Sequence, residues 1–291
     1  MSPRRGLDRR GPTSRPKNRI LAALPAAEFA RLAPSLRQVT LGSREVVYDP
    51  DRPIGHVYFP ENCVVSIVGI MSDGSAVETA TVGREGMVGL PVFLGTDRIS
   101  AQAFCQVPGE AFRMTAAVFR REIRRGRRLP TLLSRYTQVL IVQIAQSAAC
   151  NRLHPLRQRC ARWLLQTHDR VGADAFPFTH QFLSQMLGVR RATVTSVTGE
   201  LQSEGLIANH YGRIAIRDRR ALEGAACECY WIVRRELERL LEGRESPSPL
   251  QNVRASKRGK SLAGDGAPRE GTGGRTDADG PGASASGGTD G

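Results

Sequence analysis

The period of the apolar pattern changes near residue 116, and this change limits the fold of the chain more than any other feature. Before it, over residues 19–115, the apolar residues fall in short β-rich runs: "REVVYD", "HVYFP", "CVVSIVGIM", "AVETATV", "SAQAFCQV" and "EAFRM". Turn signals separate these runs. "MSDGS" (Met71–Ser75) places an Asp-Gly pair between two of them, the strongest short-range hairpin signal. Several short strands at this spacing predict an all-β barrel or double-sheet roll. Beyond residue 116 the apolar residues recur every three or four positions, the period of a helix.

The stretch 116–152 reads as one long helix with bends expected at Gly126 and Pro130. Leu133, Tyr136, Leu140, Gln143, Ser147 and Cys150 alternate at three and four residues, with Leu132 and Val139 alongside. Such a seam predicts a coiled-coil-like dimer helix; the other reading is a helix packed on its own barrel. Pro155 then stands where proline is favoured, in the first turn of a new helix, with His154 biased away from helical geometry. That makes Asn151–His154 the expected joint between domains. The new helix is expected to bury Leu156, Cys160, Trp163, Leu164 and Thr167. A short helix over about His180–Leu187 follows, with Thr179 as N-cap. Gly188 makes a turn into the next helix, "LIANHYGRIAIRD" (Leu206–Asp218) reads as a small hairpin around Gly212, and a last helix aligns Ala226, Cys229, Val233, Leu237 and Leu240.

The helix after Gly188 carries Thr193, Val194, Thr195, Val197 and Thr198, β-branched side chains that lose rotamer freedom in a helix. Val189, Val194, Val197 and Leu201 nevertheless share one face. Helix, glycine turn, helix with a basic start and hairpin is the order of a winged helix-turn-helix. A helix entering the major groove must approach base edges and phosphates closely, which short hydroxyl and methyl side chains allow. Arginines at its start can reach guanine O6 and N7 with two hydrogen bonds. The valines then face the domain core and the threonines face DNA. The candidate DNA-binding residues are Thr179, Gln181, Arg190, Arg191, Thr193, Thr195, Ser196 and Arg213. The formal net charge of +14 and pI of about 10.5 favour a polyanionic partner. Nearly all of that charge is arginine, since Lys17, Lys257 and Lys260 are the only lysines, so base composition of the genome is a second source of the bias.

From about residue 20 to 242 the chain resembles the Crp–Fnr family, the cyclic-AMP receptor protein and its relatives. The similarity is densest in "FTHQFLSQMLGVRRATVTSVTGELQSEGLIANHYGRIAI". The resemblance implies an α+β fold: an N-terminal jelly-roll effector domain, a long dimerisation helix and a C-terminal winged helix-turn-helix. The expected organisation is a disordered basic arm (1–18), a β-roll (19–115), a dimerisation helix (116–152), a DNA-binding domain (153–242) and a disordered tail (243–291), the tail being poor in large apolar residues. By resemblance Arg190 and Arg191 open the recognition helix, and Arg191 matches an arginine that reads guanine. Ala192 and Ser196 stand where the family reads further bases with Glu and Arg, so its usual operator does not carry over. The implied partners are double-stranded DNA with a palindromic operator, a second copy of the chain, and RNA polymerase. Two other readings stay open: a β-roll that serves a partner protein, and a non-specific basic nucleic-acid binder.

For the effector, "VGREGMVGLPVFLGTDRISAQAF" (Val82–Phe104) matches the family's phosphate-binding cassette. Gly86 and Gly89 fit the turn, but Leu90 replaces the ribose-binding glutamate, and Arg98 and Ser100 are shifted and not adjacent. A buried ribose hydroxyl without its carboxylate loses a charge-assisted bond. Cyclic nucleotide is therefore not the expected cofactor, and the effector stays unidentified. No cysteine precedes Cys63, which disfavours the N-terminal iron–sulfur cluster of other members. Cys150, His154, Cys160, His168, Cys227 and Cys229 match no zinc spacing. Pro155 is expected to break any pairing of Cys150 with His154, and two cysteines two apart on one helix point to nearly opposite faces. No metal ligand is expected.

The chain contains no HExxH, no GxSxG and no complete phosphate loop; the tail's "RGKS" (Arg258–Ser261) has Arg254 where that motif's first glycine belongs. His56, His154, His168, His180 and His210 lack acid partners at useful spacing, so no enzyme is expected. No apolar run is long enough to span a membrane and no secretory signal is evident, so the cysteines are expected reduced in a cytoplasm.

Overall fold

The computed structural model describes residues 9–10 and 15–242. The expected tail at 243–291, including "RGKS", lies outside the described residues. Part of the expected arm lies inside them and is ordered. β1 (Arg9–Arg10) pairs antiparallel with β2 (Arg37–Leu41). Asn18 is fully buried, donating to the carbonyls of Pro60 and Gly86 and capping α1 (Arg19–Ala22). The roll therefore begins before residue 19, because a capping asparagine and its partners fix that end of the chain.

After α2 (Ala26–Leu32) the chain enters two four-stranded sheets. Their strands are β2, β3 (Val46–Tyr48), β4 (His56–Pro60), β5 (Val64–Ile70), β6 (Ala76–Val82), β7 (Ala101–Val107) and β8 (Gly109–Thr115), with the short helix α3 (Leu90–Phe93) between β6 and β7. One sheet runs β1-β2-β8-β4 and the other β3-β7-β5-β6, all antiparallel, the double-sheet roll that the strand spacing predicts. The Asp-Gly turn closes the β5–β6 hairpin: Gly74 takes φ +79°, and Met71 N–H donates to the Ser75 carbonyl at 2.8 Å. Residues of both sheets, among them Phe59, Val65, Val82 and Met114, fill the core, joined by Met87 from the connection after β6.

The expected single helix over 116–152 is two: α4 (Ala116–Arg125) and α5 (Arg128–Leu153). The break is at Gly126, whose extended ψ of 153° ends α4. The buried Glu28 carboxylate then accepts from the N–H groups of Arg128 and Leu129, satisfying the first donors of α5. Pro130 lies in the first turn of α5, where its missing N–H has no intrahelical acceptor. The seam expected to meet a second chain is occupied: Leu133, Tyr136, Leu140, Gln143 and Cys150 are buried within the chain itself. The opposite face of α5 is the open one, with Ile141 56% and Ile144 42% exposed. The expected joint at 151–154 shrinks to His154–Pro155, because α5 continues through Leu153.

α6 (Leu156–Val171) carries the helical half onto the roll, and Cys160, Trp163, Leu164 and Thr167 are buried as predicted while Leu156 is half-buried. Val64, Val68 and Val107 of the roll share one apolar cluster with Trp163, Leu183, Met186 and Leu201. Two polar contacts fix the seating. Arg170 Nε donates to Glu85 Oε1 at 2.7 Å, and Trp163 Nε1 donates to Glu78 Oε1 at 2.8 Å.

Glu78 also accepts from the Ser66 hydroxyl at 2.7 Å, yet burial pushes its carboxyl up to about 7. Between about pH 4.5 and 7 the folded chain holds a proton that the unfolded chain has released, so stability falls as pH rises through that window. The thermal midpoint should decline over this range in the native chain, and Glu78→Gln should flatten the decline. An unchanged slope in the variant would remove Glu78 as its source.

Candidate nucleic-acid interface

The helical half beyond α6 contains β9 (Ala175–Pro177), α7 (His180–Leu187), α8 (Arg191–Ser203), β10 (Ile207–His210), β11 (Arg213–Ile216), α9 (Arg219–Ala225) and α10 (Glu228–Leu237). A π-helical turn follows at Glu238–Glu242. β9, β11 and β10 form a three-stranded sheet, one strand more than the expected hairpin. α9 is a separate helix, so Ala226 lies at its end and not on the last helix.

Thr179 caps α7, its hydroxyl accepting from Phe182 N–H at 3.1 Å. Gly188 ends α7 with φ +63°, a left-handed conformation that favours glycine and turns the chain within a few residues. Arg190 is the extended residue before α8. Val194, Val197, Thr198 and Leu201 are buried, whereas Arg190, Arg191, Ala192, Thr193, Thr195 and Ser196 are exposed. The division into a core face and an open face is the one the sequence predicts, with Thr198 added to the core side.

Two threonines of α8, Thr195 and Thr198, spend their hydrogen bonds inside the motif. Thr195 Oγ1 donates to Arg191 O at 3.1 Å and Thr198 Oγ1 to Val194 O at 2.9 Å. Both also meet His180. Its Nδ1 is 3.0 Å from Thr195 Oγ1, and its Nε2 is 3.1 Å from Thr198 Oγ1. Asn209 Nδ2 donates to the same Nε2 at 3.0 Å, which makes that nitrogen an acceptor and assigns the ring proton to Nδ1. One imidazole thus ties the first helix of the motif, the recognition helix and the wing strand β10. Burial and the nearby Arg191 charge lower its pKa, keeping the ring neutral. Sequence spacing gave no sign of this, since His180 meets Thr195, Thr198 and Asn209 only in the fold.

Gln181 projects from α7 and is exposed. Arg213 on β11 is exposed and donates to Ala175 O at 3.0 Å, which holds its stem along the wing. The wing tip presents Tyr211, with φ +47°, beside Gly212 at φ +73°; the sequence reading passed over this tyrosine. The eight candidate residues lie on or beside one surface motif. A solvent-facing helix start with two arginines and small side chains suits a polyanion approached at close range.

The five effector candidates do not converge. Leu90 is buried in the roll core at the start of α3, and Gly89 takes φ +94° just before it. Gly86 is packed against the Tyr136 ring, where a Cβ would come within 2.3 Å of its Cζ. Arg98 and Ser100 are exposed on a loop, with Arg98 donating to Asp51 O at 3.1 Å. None of the five lines the cleft of about 530 Å³ bordered by Arg84, His168, Arg219 and Arg234. The expectation that Cys150, His154, Cys227 and Cys229 stay apart is overturned, because their donor atoms all lie within 4.8 Å of one another. Cys227 precedes α10 instead of lying on it, and His154 turns back from the end of α5 with ψ 143°, so spacing rules for one continuous helix do not apply. The histidine expectation fails likewise: His168 meets Asp174 at 3.1 Å and His154 meets Glu228 at 3.3 Å.

A β-roll joined by a long helix to a winged helix-turn-helix with an open basic helix start defines a class of DNA-binding regulators. Residues 158–225 match the family model of the Crp-like helix-turn-helix domain. Over 77 residues the chain is 36% identical to the transcriptional regulator SdrP of Thermus thermophilus, a match covering 24% of this chain and 38% of that protein's length. The fold is similar to FixK2 of Bradyrhizobium japonicum (TM-score 0.57, 16% identity, 66% of this chain and 98% of that one). It is also similar to the c-di-GMP-responsive global regulator CLP of Xanthomonas campestris (TM-score 0.54, 16% identity, 66% and 99%). Residues 158–225 thus carry a Crp-like helix-turn-helix domain, and the fold as a whole is that of these regulators. Among the described residues, no helix is long and apolar enough to cross a membrane.

Removing the imidazole that links three elements should loosen the wing. His180→Ala should cost about 0.5–1.5 kcal/mol in urea unfolding, the range for a lost intramolecular hydrogen bond at a half-buried side chain. It should also raise hydrogen exchange at Asn209 and His210 ahead of the core. Equal exchange at those amides would show that the wing is held by other contacts.

Proposed function

We propose that the chain is a homodimeric, sequence-specific transcription regulator that reads a palindromic DNA site in the cytoplasm, its affinity set by a signal received on the β-roll. The observation that carries this reading is the exposed start of α8, where Arg190 and Arg191 stand beside a row of small exposed side chains. Arg191 reads guanine through O6 and N7, while Thr193, Ser196 and Arg213 engage the backbone. Thr195 contributes less than its position suggests, because its hydroxyl is already held by His180 and the Arg191 carbonyl. RNA polymerase is the partner through which a bound dimer would act. Selection from random duplexes tests the reading: it should return a palindrome with half-sites about 34–36 Å apart or a multiple of that, and a flat profile would overturn it. Arg191→Ala should cost about 1–3 kcal/mol per half-site and relax one base pair in each, measured at one fixed salt concentration. Retention of full sequence preference would show that Arg191 does not read a base.

The second copy docks on the open face of α5. Ser134, Gln138, Ile141, Ala145 and Ala148 are exposed and recur at four- and three-residue spacing, the pattern of a helix pair. Two isoleucines on an otherwise small-residue face provide the apolar centre. Ile141→Glu should convert the dimer to monomer in sedimentation and weaken binding to the full palindrome more than to a half-site. A dimer unaffected by this charge would place the interface elsewhere.

A further inference from the structure

Three thiols and one imidazole, drawn from parts of the chain more than seventy residues apart, meet where α5 ends. Cys150 is in the last turn of α5, His154 follows that helix, Cys227 is the N-cap of α10, and Cys229 is in its first turn. All three cysteines are buried, and together they form a small cluster of their own. Cys150 Sγ and Cys227 Sγ are 3.5 Å apart, and His154 Nδ1 is 3.4 Å from Cys229 Sγ. A tetrahedral ion with bonds of about 2.3 Å to sulfur and about 2.0–2.1 Å to nitrogen sets its ligand atoms roughly 3.5–3.8 Å apart. The observed separations are already at that scale. A four-iron cluster distributes its thiolates over separate irons and needs them wider apart.

The surroundings suit a cation as well. Glu228 Oε1 lies 3.3 Å from His154 Nε2, so the Nε2–H group donates to the carboxylate and the Nδ1 lone pair, on the side of the sulfurs, is left to bind a cation. Gln146 Nε2 donates to Cys229 Sγ at 3.1 Å, a bond that favours a thiolate. Arg159 and Arg162 are buried, and among the described residues neither forms an ion pair with a carboxylate; the Nε of each has no hydrogen-bond partner. Three thiolates around a divalent cation carry one net negative charge, which would compensate this buried positive pair.

We propose that Cys150, His154, Cys227 and Cys229 bind a single zinc ion that ties the end of α5 to the start of α10 across the His154–Pro155 joint. Zinc fits because the donor set is thiolate and imidazole and four ligands complete a closed tetrahedron. The full chain, purified under reducing conditions without chelator, should contain one zinc per chain by elemental analysis. After metal removal it should take up one equivalent of cobalt(II), with thiolate-to-cobalt charge transfer and the visible bands of a tetrahedral site. Cys229→Ser should abolish that spectrum. Glu228→Gln leaves the ligands and the core in place, since this side chain is 65% exposed, and should weaken metal affinity by about 10–100-fold. Circular dichroism establishes that each variant is folded; if Cys229→Ser fails to fold, Glu228→Gln decides the question. Four results would overturn the proposal: a folded native chain with no zinc and no cobalt spectrum, a Cys150–Cys227 disulfide in its place, iron with sulfide, or metal binding that Glu228→Gln leaves unchanged.

Discussion

The arrangement of this chain depends on one buried guanidinium. Arg170 Nε donates to Glu85 of the roll at 2.7 Å, its Nη2 to Gln143 of α5 at 3.2 Å and its Nη1 to the Gln166 carbonyl at 3.0 Å. Gln143 in turn donates to Thr81 O at 3.2 Å. The aliphatic stem of Arg170 lies across Gly83, where a Cβ would come within 2.5 Å of Cγ, so only glycine admits the close approach. A buried ion pair adds little net stability over apolar packing, but leaving one partner unpaired costs about 3–5 kcal/mol. Its effect is therefore geometrical: among the seatings of α6 on the roll, those that separate Arg170 from Glu85 are strongly disfavoured. The roll, α5 and the winged half take their mutual positions from that restriction.

Most elements are legible in local sequence features. β4 and β6 occupy the very runs "HVYFP" and "AVETATV", and α7 runs from its Thr179 cap to its Gly188 stop as written. Periods, caps and turns act over a few residues and can be read from a few residues. β2 was missed because "RQVTL" alternates over only five residues beside a helix and an arginine-rich stretch. The face of α5 was misread for a different reason. Apolar spacing tells that a helix has a seam, but not whether the seam meets its own chain or a second one; here the seam of Leu133, Tyr136 and Leu140 is covered by its own chain.

Side chains distant in sequence formed the part of the candidate sites that could not be read. His180 joins Thr195, Thr198 and Asn209, and the thiol cluster spans the interval from Cys150 to Cys229. The spacing rules that excluded a metal assume a regular helix under each ligand. Both exceptions occur at helix ends, where the backbone leaves helical geometry and side chains at short spacing can converge. The effector pocket shows the converse. A cassette-like stretch was legible, but its central position, Leu90, is committed to the core.

These features converge on α5. Gln143, which meets Arg170, and Cys150, which opens the thiol cluster, are seven residues apart, two helical turns and about 10 Å along one face. Ile141, Ala145 and Ala148 lie on the opposite face, open to a second copy. In the proposed dimer, a helix that packs on its own winged half along one side and meets a partner along the other would relate the two recognition helices through a nearly rigid rod. The helical path breaks at His154–Pro155, between α5 and α6, and the proposed ion bridges that break. Metal occupancy would then restrict the joint that sets half-site separation without touching α8, so such a site would act on the spacing of the two recognition helices and leave the bases each one reads unchanged.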